Sequence, residues 1–244
     1  MRKVVLGVCF GLLFGQAVEG GDWLEWRGPN RDGKSSETGL LQSWPEGGPG
    51  LLWQIEGIGG GYSTPAVRGD RLYFATNVGL DDEFVRALSA KDGSLIWSTR
   101  IGKVGAPDQK PSYPGSRSMP TVDGDLLYAV GSDGDLVCLE TATGKLRWHI
   151  NFAKEFGSKP PRWAWAESPL VDGDKVISSP GGSDATILAV NKMTGDVIWK
   201  SAWEGGDLAG YGSPVLATIS GVRQYVVFMG NGVGGVDAAS GKLL

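Results

Sequence analysis

One segment of this chain is written three times at a fixed distance. Ala87-Leu88-Ser89-Ala90-Lys91-Asp92-Gly93-Ser94-Leu95-Ile96-Trp97 returns as Cys138-Leu139-Glu140-Thr141-Ala142-Thr143-Gly144-Lys145-Leu146-Arg147-Trp148, and again as Ala189-Val190-Asn191-Lys192-Met193-Thr194-Gly195-Asp196-Val197-Ile198-Trp199, a period of 51 residues. A fourth copy runs from Gly235 to Leu244 and reaches its glycine at Gly241, so the repeat predicts a fragment of a longer chain whose next residue is tryptophan. A period of this length belongs to arrays of supersecondary units, none of which buries its apolar surface without a neighbour.

Upstream of each copy a second element recurs: Thr64-Pro65-Ala66-Val67-Arg68-Gly69-Asp70, Met119-Pro120-Thr121-Val122-Asp123-Gly124-Asp125 and Ser168-Pro169-Leu170-Val171-Asp172-Gly173-Asp174. The fourth, from Ser213-Pro214, is three residues longer before Gly221. Proline is tolerated where a strand starts, and glycine after Asp or Thr suits tight hairpin turns. No window of about 12 residues carries apolar side chains at helical spacing, so essentially no helix is predicted. Each unit therefore reads as four short antiparallel strands, the last holding the tryptophan, which is the pattern of a β-propeller blade in an all-β fold. Gly93, Gly144 and Gly195 are read as turn residues, and Trp97, Trp148 and Trp199 as packing posts between blades. Leu51-Leu52-Trp53-Gln54-Ile55-Glu56-Gly57 resembles the tryptophan strand without its three predecessors, which predicts an orphan outer strand used to close a ring.

The first residues read as a signal peptide, residues 1–17: Arg2 and Lys3, an apolar run from Val4 to Phe14, then Gly15-Gln16-Ala17 with small residues at the cleavage positions. A lipoprotein signal ending at Cys9 is disfavoured, because only Val4 to Val8 would separate it from the basic start. The run is too short to span a membrane, so an exported chain, periplasmic or extracellular, is expected. A lead segment, residues 18–50, then precedes the propeller at 51–244. The chain has 23 basic and 27 acidic side chains with a net charge of −4. Its basic residues lie scattered among acids, which argues against nucleic acid as a partner. After cleavage Cys138 is the only cysteine, which excludes an internal disulfide, and His149 is the only histidine, which excludes His–His or Cys–His zinc sites.

The repeated Gly-x-x-x-Trp ending resembles the tryptophan-docking repeat of the pyrroloquinoline quinone (PQQ) propeller superfamily, with Ala-x-Asp-x-x-Thr-Gly-x-x-x-Trp as its pattern. Ser89, Glu140 and Asn191 stand where that pattern prefers Asp, and Asp92 replaces its Thr. Trp26-Arg27-Gly28-Pro29-Asn30-Arg31-Asp32-Gly33 resembles the N-terminal signature of secreted bacterial members, and by itself reads as a Gly-Pro turn with exposed polar residues. The resemblance implies about four blades of the seven or eight in a complete ring. It also implies one of two functions. BamB-type members act as scaffolds in outer-membrane protein assembly without a cofactor, whereas quinoprotein alcohol dehydrogenases hold PQQ and calcium on the propeller axis, often beneath two adjacent cysteines that this chain lacks. The preferred expectation is a binding or assembly scaffold at the cell envelope whose partners are envelope proteins or a small ligand on the propeller face. The dehydrogenase is the alternative, and a polysaccharide or peptide binder is a third.

Recognition on such a ring belongs to the long connections between blades, here 101–118, 151–167 and 201–212. Arg117 is a candidate for gripping a carboxylate with paired donors. Trp163 and Trp165, two apart, would face one side of an extended segment and floor a planar ligand, with Glu167 beside them as a cation ligand. Tyr62 and Tyr211 precede their prolines at matching positions and are candidates for lining the channel. The glycine run at 57–61 lacks the following helix that a phosphate loop needs, and Gly131-Ser132-Asp133-Gly134-Asp135 reads as a hairpin turn.

Overall fold

The computed structural model describes residues 21–106, 108, 114–204 and 207–244, so the predicted signal at 1–17 lies outside the described residues. Three four-stranded antiparallel sheets follow one another in strict chain order. The first blade comprises β1 (Ala66–Arg68), β2 (Arg71–Val78), β3 (Asp82–Ser89) and β4 (Leu95–Lys103). The second holds β5 (Thr121–Asp123), β6 (Leu126–Val130), β7 (Asp135–Glu140) and β8 (Leu146–Asn151), and the third β9 (Leu170–Asp172), β10 (Lys175–Ser178), β11 (Ile187–Asn191) and β12 (Val197–Ser201). A fourth sheet contains β13 (Val215–Ile219), β14 (Val222–Phe228) and β15 (Val233–Asp237), with a single bridge from Val236 to Leu243 where a fourth strand would begin. The predicted all-β architecture of four-stranded blades is present.

The repeat unit has one irregularity that explains its tryptophan. Between the third and fourth strands the register slips at Ala87/Leu88, at Cys138/Leu139 and at Ala189/Val190. One extra residue on the outer strand, Ile96, Arg147 or Ile198, twists it locally, as bulges do. The following indole turns out of its own sheet and onto the next blade. Trp97, Trp148 and Trp199 are each buried, and each lies under the turn glycine of its successor. A Cβ at Gly144 would fall 2.5 Å from the Trp97 ring, and one at Gly241 would fall 2.4 Å from Trp199. Both glycines also have positive φ, +71° in each case, so a side chain is refused by conformation and by space.

The substituted turn positions keep their acceptors. The Asn191 side-chain oxygen accepts from the Met193 and Thr194 N–H groups, as Asp237 does from Ala239 and Ser240, while Glu140 accepts from the Thr143 hydroxyl. The small residue facing each tryptophan is Ala87, Cys138 or Ala189, all fully buried. Burial pushes the Cys138 thiol up to about 12, so this cysteine is packing and not a nucleophile.

Three details differ from expectation. Residues 51–57 form no strand. Trp53 nonetheless seats on Gly93 and donates its indole N–H to Ala90 O at 2.9 Å, as an outer-strand tryptophan would. Among the described residues there is one helix: α1 (Phe152–Phe156), capped by the Asn151 side chain, is too short to show an apolar period. Residues 26–33 form a turn with Arg27, Asn30 and Asp32 exposed, as expected, but Arg31 is buried and the residues before it are paired. Trp23 exchanges two backbone bonds with Val67 on β1, Leu24 O accepts from Val122 N on β5, and Arg31 reaches the carbonyls of Ser168 and Pro169 beside β9. Residues 22–33 thus strap the first strands of three blades together.

Candidate functional site

The connections between blades open onto the starts of β1, β5, β9 and β13, and four of the candidate residues sit there in two pairs, with Arg117 half-buried and Tyr62, Trp163 and Tyr211 exposed. Arg117 lies over the Tyr62 ring at 5.3 Å, and Tyr62 N donates to Ser116 O. Tyr211 lies 5.4 Å from the Trp163 ring, its hydroxyl accepting from Trp163 N, while Arg162 covers the same indole at 5.5 Å. Trp163 and Tyr211 remain 43% and 41% exposed, so each pair presents an aromatic face edged by a guanidinium. Such surfaces suit contact with a partner more than enclosure of a small molecule.

Trp165 does not join them. Ala164 has φ +64°, and this single left-handed residue breaks the extended geometry that would have aimed both indoles one way. Trp165 turns inward, packs edge-on against Phe152 at 5.9 Å and donates to Pro180 O. Glu167 is buried too. Its carboxylate accepts from the Ser178 hydroxyl and the Ser179 N–H, and burial raises its pKa. Trp165 and Glu167 are thus turned into the fold, while Trp163 stays at the surface. Among the described residues no group of three or more His, Cys, Asp or Glu side chains is arranged to hold a metal ion.

Two further groups at this end of the sheets were not among the candidate site residues. Arg31 is buried; its Nε lies 3.4 Å from the Glu25 carboxylate, and Glu167 acts on it electrostatically. Burial lowers the Arg31 pKa and raises that of Glu25, each partly offset by the other's charge. Glu83 is fully buried on β3, accepting from the Ser116 hydroxyl and from both the hydroxyl and N–H of Ser132 in the second blade. Burial pushes its carboxyl up to about 7, against the pull of those donors. Alternation does mark Glu83, which shares its face with Val85 and Ala87.

A family profile described as outer membrane protein assembly factor BamB, built on the PQQ repeat, matches residues 81–244. The chain belongs to this PQQ-repeat, BamB-like β-propeller family. It is 28% identical over 189 residues to the serine/threonine-protein kinase AfsK of Streptomyces griseus, covering 78% of this chain and 22% of that one. Two crystal structures share the fold. BamB from Moraxella catarrhalis has a TM-score of 0.58 at 16% identity, over 79% of this chain and 53% of that one. The quinohemoprotein alcohol dehydrogenase from Comamonas testosteroni has a TM-score of 0.63 at 19% identity, over 91% of this chain and 40% of that one. The chain spans less than half the length of the curated relatives it matches. Family membership is thus compatible with a scaffold or a quinoprotein dehydrogenase.

Proposed function

We propose that this chain is an exported binding or assembly scaffold of the cell envelope, with the inter-blade connections as its recognition face. The observation that carries this reading is the division of labour among the side chains at that face. The carboxyl groups of Glu83 and Glu167 are spent on serine hydroxyls and amides inside the fold, whereas the rings of Tyr62, Trp163 and Tyr211 are exposed, with Arg117 stacked on the first and Arg162 on the second. A redox site needs its acidic groups directed at the reacting atoms, while a docking face needs rigid aromatic anchors with polar edges. The BamB name of the matched family supports envelope proteins as the partner class and the periplasm as the compartment. No helix among the described residues is long and apolar enough to cross a membrane.

The test has two arms. Supplied with PQQ and calcium, the chain is expected neither to reduce an artificial electron acceptor with an alcohol nor to gain melting temperature; turnover would replace the scaffold with the dehydrogenase. A photo-crosslinking residue at position 163 is expected to capture an envelope protein in vivo, and Tyr211→Ala to remove that adduct. Persistence of the adduct would show that the aromatic pair is not the docking face.

A further inference from the structure

Four residues hold the same place in the first strands of the four blades. Val67 on β1 lies opposite Leu72, Val122 on β5 opposite Leu127, Val171 on β9 opposite Val176 and Leu216 on β13 opposite Tyr225. The β13–β14 hairpin is longer, yet Tyr225 faces Val236 on the third strand of its blade as Leu72 faces Leu88, so Leu216 is the counterpart of Val67. In an antiparallel ladder alternate pairs turn their N–H and C=O groups away from the neighbouring strand, and the bonds of Val67 and Val122 mark this as such a position. The first strand of each blade has no further strand beside it in its sheet, so these groups point to an open edge.

The lead segment closes two of the four edges. Val67 exchanges two backbone bonds with Trp23 at 2.9 Å, and Val122 N donates to Leu24 O at 2.8 Å. Two successive residues thus bond to the edges of two successive blades. The chain then leaves this path: residues 26–33 turn, and Arg31 is held by Ser168 O and Pro169 O at the entry to β9. The outward N–H and C=O groups of Val171 and Leu216 have no partner among the described residues. Both residues line a cavity of about 290 Å³, together with Leu170, Val215, Pro29 and Asn30. Its charged groups, Glu25 and Arg31, are paired with each other at 3.4 Å, which leaves apolar walls and bare backbone.

We propose that this cavity is a docking slot for an extended, uncharged peptide segment of a partner protein, which bonds through its main chain to Val171 and Leu216 as Trp23 and Leu24 bond to Val67 and Val122. The slot continues the strap's own interface onto the next two blades, so the mode of attachment is already used once within the chain. Main-chain bonding to an open strand edge supplies affinity, and alternate side chains of the added segment meet the walls. Those walls are Leu170, Val215 and Leu216, so apolar side chains fit, while a charged one would lose its water with no free partner. This slot is separate from the aromatic pairs of the connections and stands whether or not those pairs dock a partner.

The four matched amides supply their own control. Hydrogen exchange followed by NMR is expected to be fast at Val171 and Leu216 in the free chain and about tenfold slower or more at Val67 and Val122. Saturating acetyl-Thr-Val-Thr-Val-Thr-amide is expected to slow Val171 and Leu216 and to leave the other two unchanged. Its fully N-methylated analogue, which has no N–H to donate, is expected to protect neither. Leu216→Pro removes a donor that no ladder bond uses and should weaken peptide binding about fivefold or more. Asn30→Trp, at an exposed strap position, should fill the cavity and block binding without touching either strand, so it decides the matter if the proline variant unfolds. Slow exchange at Val171 and Leu216 in the free chain would mean that the chain's own residues fill the slot and would overturn it. So would absence of protection by the peptide, equal protection by the N-methylated analogue, or undiminished binding to Asn30→Trp.

Discussion

The first and the last of the three blade contacts seat the same residue in the same place and then hold their polar groups in different ways. Between blades one and two, Trp97 donates its N–H to Thr141 O at 2.9 Å, and Tyr73 lies 5.9 Å from it with a hydroxyl directed at the same carbonyl. Between blades three and four, Ile177 occupies the place of that tyrosine, and the Trp199 N–H finds no partner among the described residues. Tyr225 approaches Trp199 from the fourth blade instead, bonded to Asp172, which also pairs with both terminal nitrogens of Arg223. The apolar seat is thus repeated, while its polar complement is assembled locally. The two contacts also carry acids of opposite character. Glu83 in the first is a carboxyl that burial holds toward its neutral form; in the last, burial pushes Asp172 up but Arg223 and Tyr225 outweigh it and hold the carboxyl below its usual range.

Removing an indole tests the contrast most strongly. Trp97→Ala should cost about 3–5 kcal/mol in chemical denaturation, and Trp199→Ala about 1 kcal/mol less, because no indole hydrogen bond is lost there. Equal losses would break the comparison. Next comes pH. Glu83 binds its proton more tightly in the fold than in the unfolded chain, so the stability it contributes is full below about 4.5 and is lost as pH rises through about 7. That loss is roughly 3 kcal/mol, and Glu83→Gln should flatten the curve over this window. A variant that keeps the slope would assign it to another group.

Gly144→Ala should cost about 1–3 kcal/mol by overpacking and strain against Trp97. Gly173→Ala, at φ +62° with nothing within 4 Å of its Cβ, should cost only the strain, about 1 kcal/mol, in the same assay. The smallest effect belongs to the exposed pair. Arg223→Met should cost less than about 1 kcal/mol at neutral pH. Because the Asp172 pKa is depressed in the fold, that contribution is present above the unfolded carboxylate value and disappears as pH falls through the folded one. A loss that persists in strong acid would mean that packing of the arginine stem, and not its charge, is what matters.

The blades were legible because three copies of Gly-x-x-x-Trp combine a steric demand with a packing one, and both are written in residue type. The exposed pairs Tyr62/Arg117 and Trp163/Tyr211 were legible only as single residues, since nothing in the spacing says which loop meets which. The separation of Trp163 from Trp165 depends on one backbone angle at Ala164, a residue with no preference for it. Arg31 was hidden because a Gly-Pro-Asn-Arg-Asp-Gly stretch has the composition of a surface turn, and its partners Ser168 and Pro169 lie far along the chain. The bulge that aims each tryptophan was likewise invisible, being a register shift between strands and not a property of either.

The strap formed by residues 22–33 gives this chain an order in time as well as in space. Its Arg31 bonds span 137 and 138 residues, closing on β9 only when two complete blades lie between. At ordinary synthesis rates of about 5–20 residues per second, the partners of Arg31 appear on the order of ten seconds after it. The charge of Arg31 is therefore satisfied only once two blades have been made, and the third blade, on arriving, locks the two that preceded it.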